Sequence, residues 1–199
     1  MIMKSVVLAS TSPYRLQLLR QLGIPFHVAP PLFQEKIDQE VAPELLVKHL
    51  AANKARSLVE KYPRSLIIGA DQVFADPRGR IHGKPGTFEE AFKQLREMSG
   101  KCHTFYTGIS VLDSDTGEAL TDFATYTVTL RKLSPEQIQN YLQREQPFDC
   151  AGSFKVEGLG ISLIQEMKGN DYTTLIGLPL IKTIDFLGYF GVPVLGSGE

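Results

Sequence analysis

Where an apolar run, Val6 to Ala9, gives way to leucines at helical spacing, the chain reads Ser10-Thr11-Ser12-Pro13-Tyr14-Arg15. A strand that feeds a helix start presents unpaired backbone N–H groups at the positive end of the helix dipole, and such an end attracts anions. The hydroxyls of Ser10, Thr11 and Ser12 add donors. Arg15 in the first turn opposes the dipole, by roughly 0.3–1 kcal/mol when exposed, so a negative group nearby would offset it. The alternative is a plain Ser12 cap beside a solvated arginine. The glycines and lysine of a P-loop are missing.

Lys54 falls on the stripe of Leu46, Leu50 and Leu58. Lysine is seldom buried without a partner. It either snorkels to the sheet edge or reaches a cavity at the strand ends, where it needs a carboxylate or a phosphate. Asp71 directly follows the hydrophobic SLIIGA. Ligands of open α/β sheets collect at carboxyl ends of strands. Asp71 is therefore read as a metal ligand, a general base or both, or else as a strand-terminating turn residue. Gln72 beside it reads a base edge or hydrogen-bonds a loop. Lys84-Pro85 offers a second cation, and Glu35 is a lone acid after a proline-rich turn. From Asp149 to Gly160 three glycines crowd with Ser153, Lys155 and Glu157. That density suits a loop that wraps a ligand, though a hairpin with awkward turns looks the same. An arginine, two lysines and hydroxyls suit a polyphosphate. Carboxylates among them suit a hard divalent cation, Mg²⁺ or Mn²⁺. The four scattered histidines give no zinc pattern, and no GxSxG elbow supports serine hydrolysis.

The elements that must position these residues alternate. Strand Val6–Ala9 leads to a helix capped by Ser12, with Pro13 at its first position and Gly23 at its close. A short strand spans 26–29, a helix 43–62, and a hydrophobic strand 65–70. Thr87 and Glu90 form a capping box for the next helix, which stops at Gly100. Strands are expected over 103–112 and 119–130, with Gly108 marking a bulge or a close backbone approach. Ser134-Pro135 opens another helix, 161–164 reads as a strand, and a last helix runs to about Phe190. Such interleaving, interrupted by a hairpin, favours an α/β fold: a mixed sheet flanked by helices, with a cleft between two lobes, in a single domain over 1–199.

The chain has 199 residues and a net charge of -1, which argues against binding to long nucleic acid but allows a local basic pocket. Cys102 and Cys150 read as separate thiols in a reducing compartment. The first apolar run is too short to span a membrane and lacks a signal-peptide pattern, so a soluble, cytoplasmic protein is expected.

Six segments in order resemble the Maf family of nucleoside triphosphate pyrophosphatases: LASTSPYR at 8–15, IIGADQV at 67–73, GKP at 83–85, FYTG at 105–108, CAGSFKVEGLG at 150–160 and LIGLPL at 175–180. The resemblance implies a Maf/inosine-triphosphatase-like twisted sheet, a homodimer, and hydrolysis between the α- and β-phosphates to a nucleoside monophosphate and pyrophosphate. It casts Asp71 as general base and places Ser10, Ser12, Arg15, Glu35, Lys54 and Lys84 around the phosphates and a divalent ion, with Glu35 and Asp71 as metal ligands. Tyr14, Gln72 and Glu157 match positions linked to base choice. Many relatives carry arginine in place of Tyr14 and threonine in place of Gln72, and those resemble dTTP/UTP pyrophosphatases. The combination here is most similar to the branch acting on 7-methyl-GTP. N7-methylation makes the guanine ring positive, so Tyr14 could stack on it and Glu157 could offset its charge or accept from its Watson–Crick edge. The family often has asparagine near Thr173, and no catalytic role is assigned to that segment. The rival readings are a pyrophosphatase for dTTP/UTP or another modified nucleotide, and a non-catalytic nucleotide- or RNA-binding module.

Overall fold

A computed structural model describes residues 4–33 and 41–196 of the chain. The elements are β1 (Ser5–Ala9), α1 (Pro13–Arg20), β2 (His27–Ala29), α2 (Pro43–Arg56), β3 (Ser65–Ala75), β4 (Ile81–His82), α3 (Phe88–Met98), β5 (Cys102–Asp113), β6 (Ala119–Leu130), α4 (Pro135–Glu145), β7 (Ile164–Lys168), α5 (Thr173–Ile176) and α6 (Leu180–Tyr189). The strands follow the order β2-β1-β3-β5-β6-β7, with β4 beside β3. Pairing is parallel between β1 and both β2 and β3, and antiparallel between β3 and β4 and between β6 and β7. The sheet is thus mixed, as the alternation of elements predicts.

The chain forms two compact units. One comprises Met1–Gln72, Thr107–Ala124 and Asp171–Glu199, and the other Val73–Tyr106 and Thr125–Asn170. In the first unit, strand alternation sorts side chains onto two layers. Val6, Leu8, Leu66, Ile68, Ala70, Ile109 and Val111 pack with Leu18 and Leu19 of α1 and Leu187 of α6. Val7, Ala9, Ile67 and Leu112 face Ala55 of α2 and Leu58 beyond it.

Two glycines set how closely α2 lies on its layer. A Cβ on Gly69 would stand 2.1 Å from the Ala51 carbonyl oxygen, and one on Gly108 would stand 2.1 Å from that of Val47. The helix backbone therefore rests directly on β3 and β5. Of the two sequence readings of Gly108, this is the close approach.

Several boundaries differ from expectation. Strand β3 does not stop at Asp71 but runs through Ala75, because β4 takes over as partner of Phe74 and Ala75 after β1 has paired only as far as Gly69. Helix α2 ends at Arg56 rather than Tyr62. Ser57 Oγ donates to the Lys54 carbonyl at 2.8 Å, competing with the helical ladder, and shorter turns continue to Tyr62. Helix α1 stops at Arg20, with Gly23 at φ 66° in the turn beyond it. The expected strand at 161–164 is instead the end of a 3-10 turn, Leu159–Leu163, and β7 begins only at Ile164. Glu145 accepts the Leu159 N–H at 2.7 Å and Ser162 Oγ donates to the Leu159 carbonyl at 2.7 Å, which holds that turn closed. At Thr87 the structure shows the cap accepting the Glu90 N–H at 3.2 Å, and at Ser134 the full box with Gln137.

The glycine contacts predict opposite outcomes within one unit. Gly69→Ala and Gly108→Ala should each lower unfolding free energy by about 1–3 kcal/mol, since helix backbone must move away. Gly188→Ala should raise it by up to about 1 kcal/mol, because Gly188 lies in α6 with open space around it. Urea unfolding of the three variants checks this, and an unaffected Gly108→Ala would refute the close packing of α2.

Candidate active site

Asp71 follows Gly69 by two residues, so both point to the layer covered by α2. One helical turn beyond Ala51, whose carbonyl touches Gly69, stands Lys54. The Lys54 ammonium donates a hydrogen bond to Asp71 Oδ1, and the two form an ion pair with only 5% and 9% of their side chains exposed. Of the two readings of Lys54, snorkelling is therefore wrong: the ammonium has found a carboxylate. Asp71 is likewise no turn residue, since it lies inside β3, just past the last residue paired with β1. A charge this deeply buried needs its partner, because an unpaired one costs several kcal/mol.

Gln72 points to the opposite layer. Its side-chain amide donates to Thr107 Oγ1 at 3.0 Å and to the carbonyls of Thr174 and Leu175 at 2.7 and 3.1 Å. The loop-bonding reading of Gln72 is thus realised, and the sheet separates it from Asp71.

At the start of α1 the loop is stitched by its own hydroxyls. Ser10 N–H donates to the Ala29 carbonyl at 3.0 Å, and Ser10 Oγ accepts the Ser12 N–H at 3.1 Å. Ser12 Oγ caps the helix by accepting the Arg15 N–H at 3.4 Å. Ser10 is buried, Ser12 half-buried and Tyr14 exposed. Arg15 Nε donates to the Gly177 carbonyl at 2.8 Å. That carbonyl supplies part of the negative potential that a first-turn cation needs, a contact invisible in sequence because 162 positions separate the two.

Residues 171–181 form a polar knot centred on Asp171. Asp171 accepts the N–H groups of Thr173 and Ile181, both at 2.9 Å, and the hydroxyl of Thr173. Thr173 Oγ1 in turn accepts the Leu180 N–H at 2.9 Å. An aspartate two residues ahead of a threonine is an ordinary capping signal, but the reach to α6 is tertiary.

Lys84 and Glu157 belong to the second unit, and both are exposed. Glu35 lies outside the described residues. The glycines of 149–160 are used for packing inside that unit. A Cβ on Gly152 would meet the Phe74 ring at 2.7 Å, one on Gly158 the Glu145 carboxylate at 2.6 Å, and one on Gly160 the Lys155 carbonyl at 2.1 Å. Ser153 Oγ donates to Gln94 at 2.6 Å, and the Lys155 N–H donates to the Tyr141 hydroxyl at 3.1 Å. The segment is not a hairpin: it runs through two 3-10 turns, Ala151–Ser153 and Leu159–Leu163, which these contacts hold.

Cys102 and Cys150 are both free. Burial, reinforced by the charge of Asp149, pushes the Cys150 thiol up to about 12, so it supplies no thiolate nucleophile at neutral pH. The described residues hold no group of three or more His, Cys, Asp and Glu placed to bind a metal by themselves. None of the described helices is long and apolar enough to cross a membrane.

Known proteins resemble the chain along nearly its whole length. It is 70% identical over 195 residues to a protein of Syntrophotalea carbinolica named 7-methyl-GTP pyrophosphatase, a match covering 98% of this chain and 99% of that one. A protein of the same name from Nitrosococcus oceani is 49% identical over 96% of both chains. Another, from Pseudomonas putida, is 50% identical over 96% of this chain and 100% of its own. A solved nucleoside-triphosphatase (dITP/XTP pyrophosphatase) from Mycobacterium abscessus overlaps 71% of this chain and 95% of its own at 16% identity, with a TM-score of 0.41, too low to establish a shared fold. The model of the family described as Maf-like protein matches residues 5–190. With that match and these relatives, the chain belongs to the Maf-like protein family.

Proposed function

We propose that the chain is a nucleoside triphosphate pyrophosphatase that converts 7-methyl-GTP to 7-methyl-GMP and pyrophosphate. The observation that carries the reaction type is the buried Lys54–Asp71 pair just past the β1 pairing. The substrate reading is supported by the names of the relatives and by Tyr14, Gln72 and Glu157.

Asp71 is the general base. Its carboxylate takes a proton from water as the oxygen attacks the α-phosphorus, and the bond from that phosphorus to the oxygen bridging the β-phosphate breaks. Lys54 offsets charge developing on phosphate oxygens. Arg15 and the hydroxyls of Ser10 and Ser12 bind phosphate at the start of α1. Tyr14, exposed at the first turn, offers a ring face to a cationic base. Gln72 acts on base choice indirectly, by fixing the main chain of Thr174 and Leu175. The resemblance adds Lys84 and Glu157 as further substrate contacts.

The hard oxygens of Asp71 suit Mg²⁺ or Mn²⁺, which are commonly held by one or two carboxylates with water and phosphate. Asp71, with Glu35 as the second carboxylate, would hold the ion. When bound, it supplies electrostatic stabilisation of the triphosphate.

Asp71→Asn should lower kcat by about 10²–10⁴-fold while the fold persists, because the amide oxygen still accepts from Lys54. Near-normal turnover by that variant would remove Asp71 from the role of base. Lys54→Met should instead lower stability by about 3–5 kcal/mol, leaving a buried carboxylate without its cation. Thermal and urea unfolding measured beside the kinetics separate the two effects. With Mg²⁺ present, kcat/KM should be highest for 7-methyl-GTP in a panel with GTP, dTTP and UTP, with monophosphate and pyrophosphate as products. Preference for dTTP or UTP would overturn the substrate but keep the reaction. Binding without product release would favour a nucleotide-binding module.

A further inference from the structure

Arg15 binds phosphate in the function proposed above, and something must aim its side chain. Arginine has several rotatable bonds, and ordering them only when a ligand arrives weakens binding. Arg15 is half-buried, and its Nε–H already donates to the Gly177 carbonyl at 2.8 Å. A guanidinium is a rigid plane, so a bond at Nε constrains where its Nη groups point. The aim of Arg15 therefore depends on what holds the Gly177 carbonyl.

That carbonyl is fixed from behind. A trans peptide unit is planar, and its N–H and C=O point opposite ways. The unit carrying the Gly177 carbonyl also carries the Leu178 N–H, which donates to the Thr173 carbonyl at 3.2 Å. The Gly177 N–H donates to the same oxygen at 3.0 Å. Pinning one side of the unit to Thr173 turns its other side to Arg15. Gly177 adopts this arrangement at a φ of 123°, where a side chain would be strained.

Thr173 is held in its turn. Asp171 Oδ1 accepts its N–H at 2.9 Å and also its hydroxyl. The hydroxyl oxygen accepts the Leu180 N–H at 2.9 Å, and Asp171 Oδ2 accepts the Ile181 N–H at 2.9 Å. Pro179 has no N–H to place. Every N–H from Gly177 to Ile181 thus ends on Thr173 or Asp171. From the sheet, Gln72 and Thr107 hold the Thr174 carbonyl at 2.7 and 2.8 Å. These bonds cap α5 and α6. They also leave the Gly177 carbonyl outside both helices, and that is the oxygen Arg15 takes.

We infer that Asp171 is a positioning residue of the active site: through Thr173 it holds the Gly177 carbonyl, and that carbonyl aims the Arg15 guanidinium at phosphate. Asp171 acts by ordering Arg15 before the substrate arrives. The inference rests on the reading of Arg15 as a phosphate ligand.

The test follows the Arg15 Nε–H resonance by NMR in the full chain, assigned by its loss in Arg15→Lys. An amide accepts on one side only, so Asp171→Asn sets an NH₂ against one of the N–H groups that the carboxylate now takes. Solvent exchange of the Arg15 Nε–H should quicken by about tenfold or more in Asp171→Asn and in Thr173→Val. It should stay slow in Thr173→Ser, which keeps the hydroxyl. With 7-methyl-GTP and Mg²⁺, Asp171→Asn should lower kcat/KM by about 10–100-fold. In the Arg15→Lys background the same change should cost less than about threefold, because there is no aimed guanidinium left to lose. Unchanged exchange in both Asp171→Asn and Thr173→Val would overturn the inference, and so would an equal kinetic loss in the two backgrounds. Helix capping alone would lower stability, read by urea unfolding, without either effect. If Asp171→Asn does not fold, the contrast between Thr173→Val and Thr173→Ser decides. If the unaltered chain hydrolyses no nucleoside triphosphate, the pyrophosphatase reading fails, and the exchange measurement still decides whether Asp171 aims Arg15.

Discussion

Burying the ammonium of Lys54 against the carboxylate of Asp71 is the constraint around which the first unit is organised. Each charge is tolerable in a dry environment only because the other is there. Their meeting demands that α2 lie close on β3, and two strand positions without side chains allow it. Gly69 and Gly108 let the carbonyls of Ala51 and Val47 come within a distance that any Cβ would forbid. The glycines, the helix and the ion pair are thus one feature. Lys54 sits a turn past the contact and Asp71 a pleat past it, so the packing that brings backbone to backbone also brings charge to charge.

The alternation of β3 then divides two adjacent polar residues between two environments. Asp71 faces α2 and Gln72 faces the layer of α1 and α6. On that second side, polar side chains hold main chain as well as each other. Gln72 and Thr107 hold the carbonyl of Thr174, Arg15 holds that of Gly177, and Asp171 gathers N–H groups from α5 and α6. These bonds satisfy backbone groups that short helices leave orphaned. They fix the segment after β7 against the start of α1. Any nucleotide bound at Tyr14 and Arg15 is therefore gripped by a surface whose shape depends on residues far away in sequence.

In the second unit, glycine content serves packing. Gly152 lies against Phe74, whose ring also meets Phe105, Phe154, His82 and His103. An aromatic cluster that accepts two imidazoles into its wall buries polar nitrogens that a purely apolar core would not contain. The rings lie on strands β4 and β5.

Much of this was legible in the chain itself. Ser12-Pro13 and Ser134-Pro135 marked helix starts, because capping is local chemistry between residues three apart. Apolar runs located β1 and the first half of β3, since a strand buried on both faces must be apolar. The motifs around Ser10, Asp71 and Gly83 gave the family. The sequence left Lys54 either to snorkel or to find a carboxylate or phosphate, and could not name Asp71 as its partner, because a helix and a strand choose their pairing only when packed. It offered no means to tell that β3 continues past Asp71, where β4 follows β1 as a partner. It could not show that the glycines of 149–160 lie in 3-10 turns against Phe74 and Glu145 rather than in a hairpin, because glycine permits both. Composition and local pattern fixed which residues were able to do chemistry; tertiary structure decided which of them were already occupied with one another, because charges and hydrogen bonds are matched across space and not along the chain.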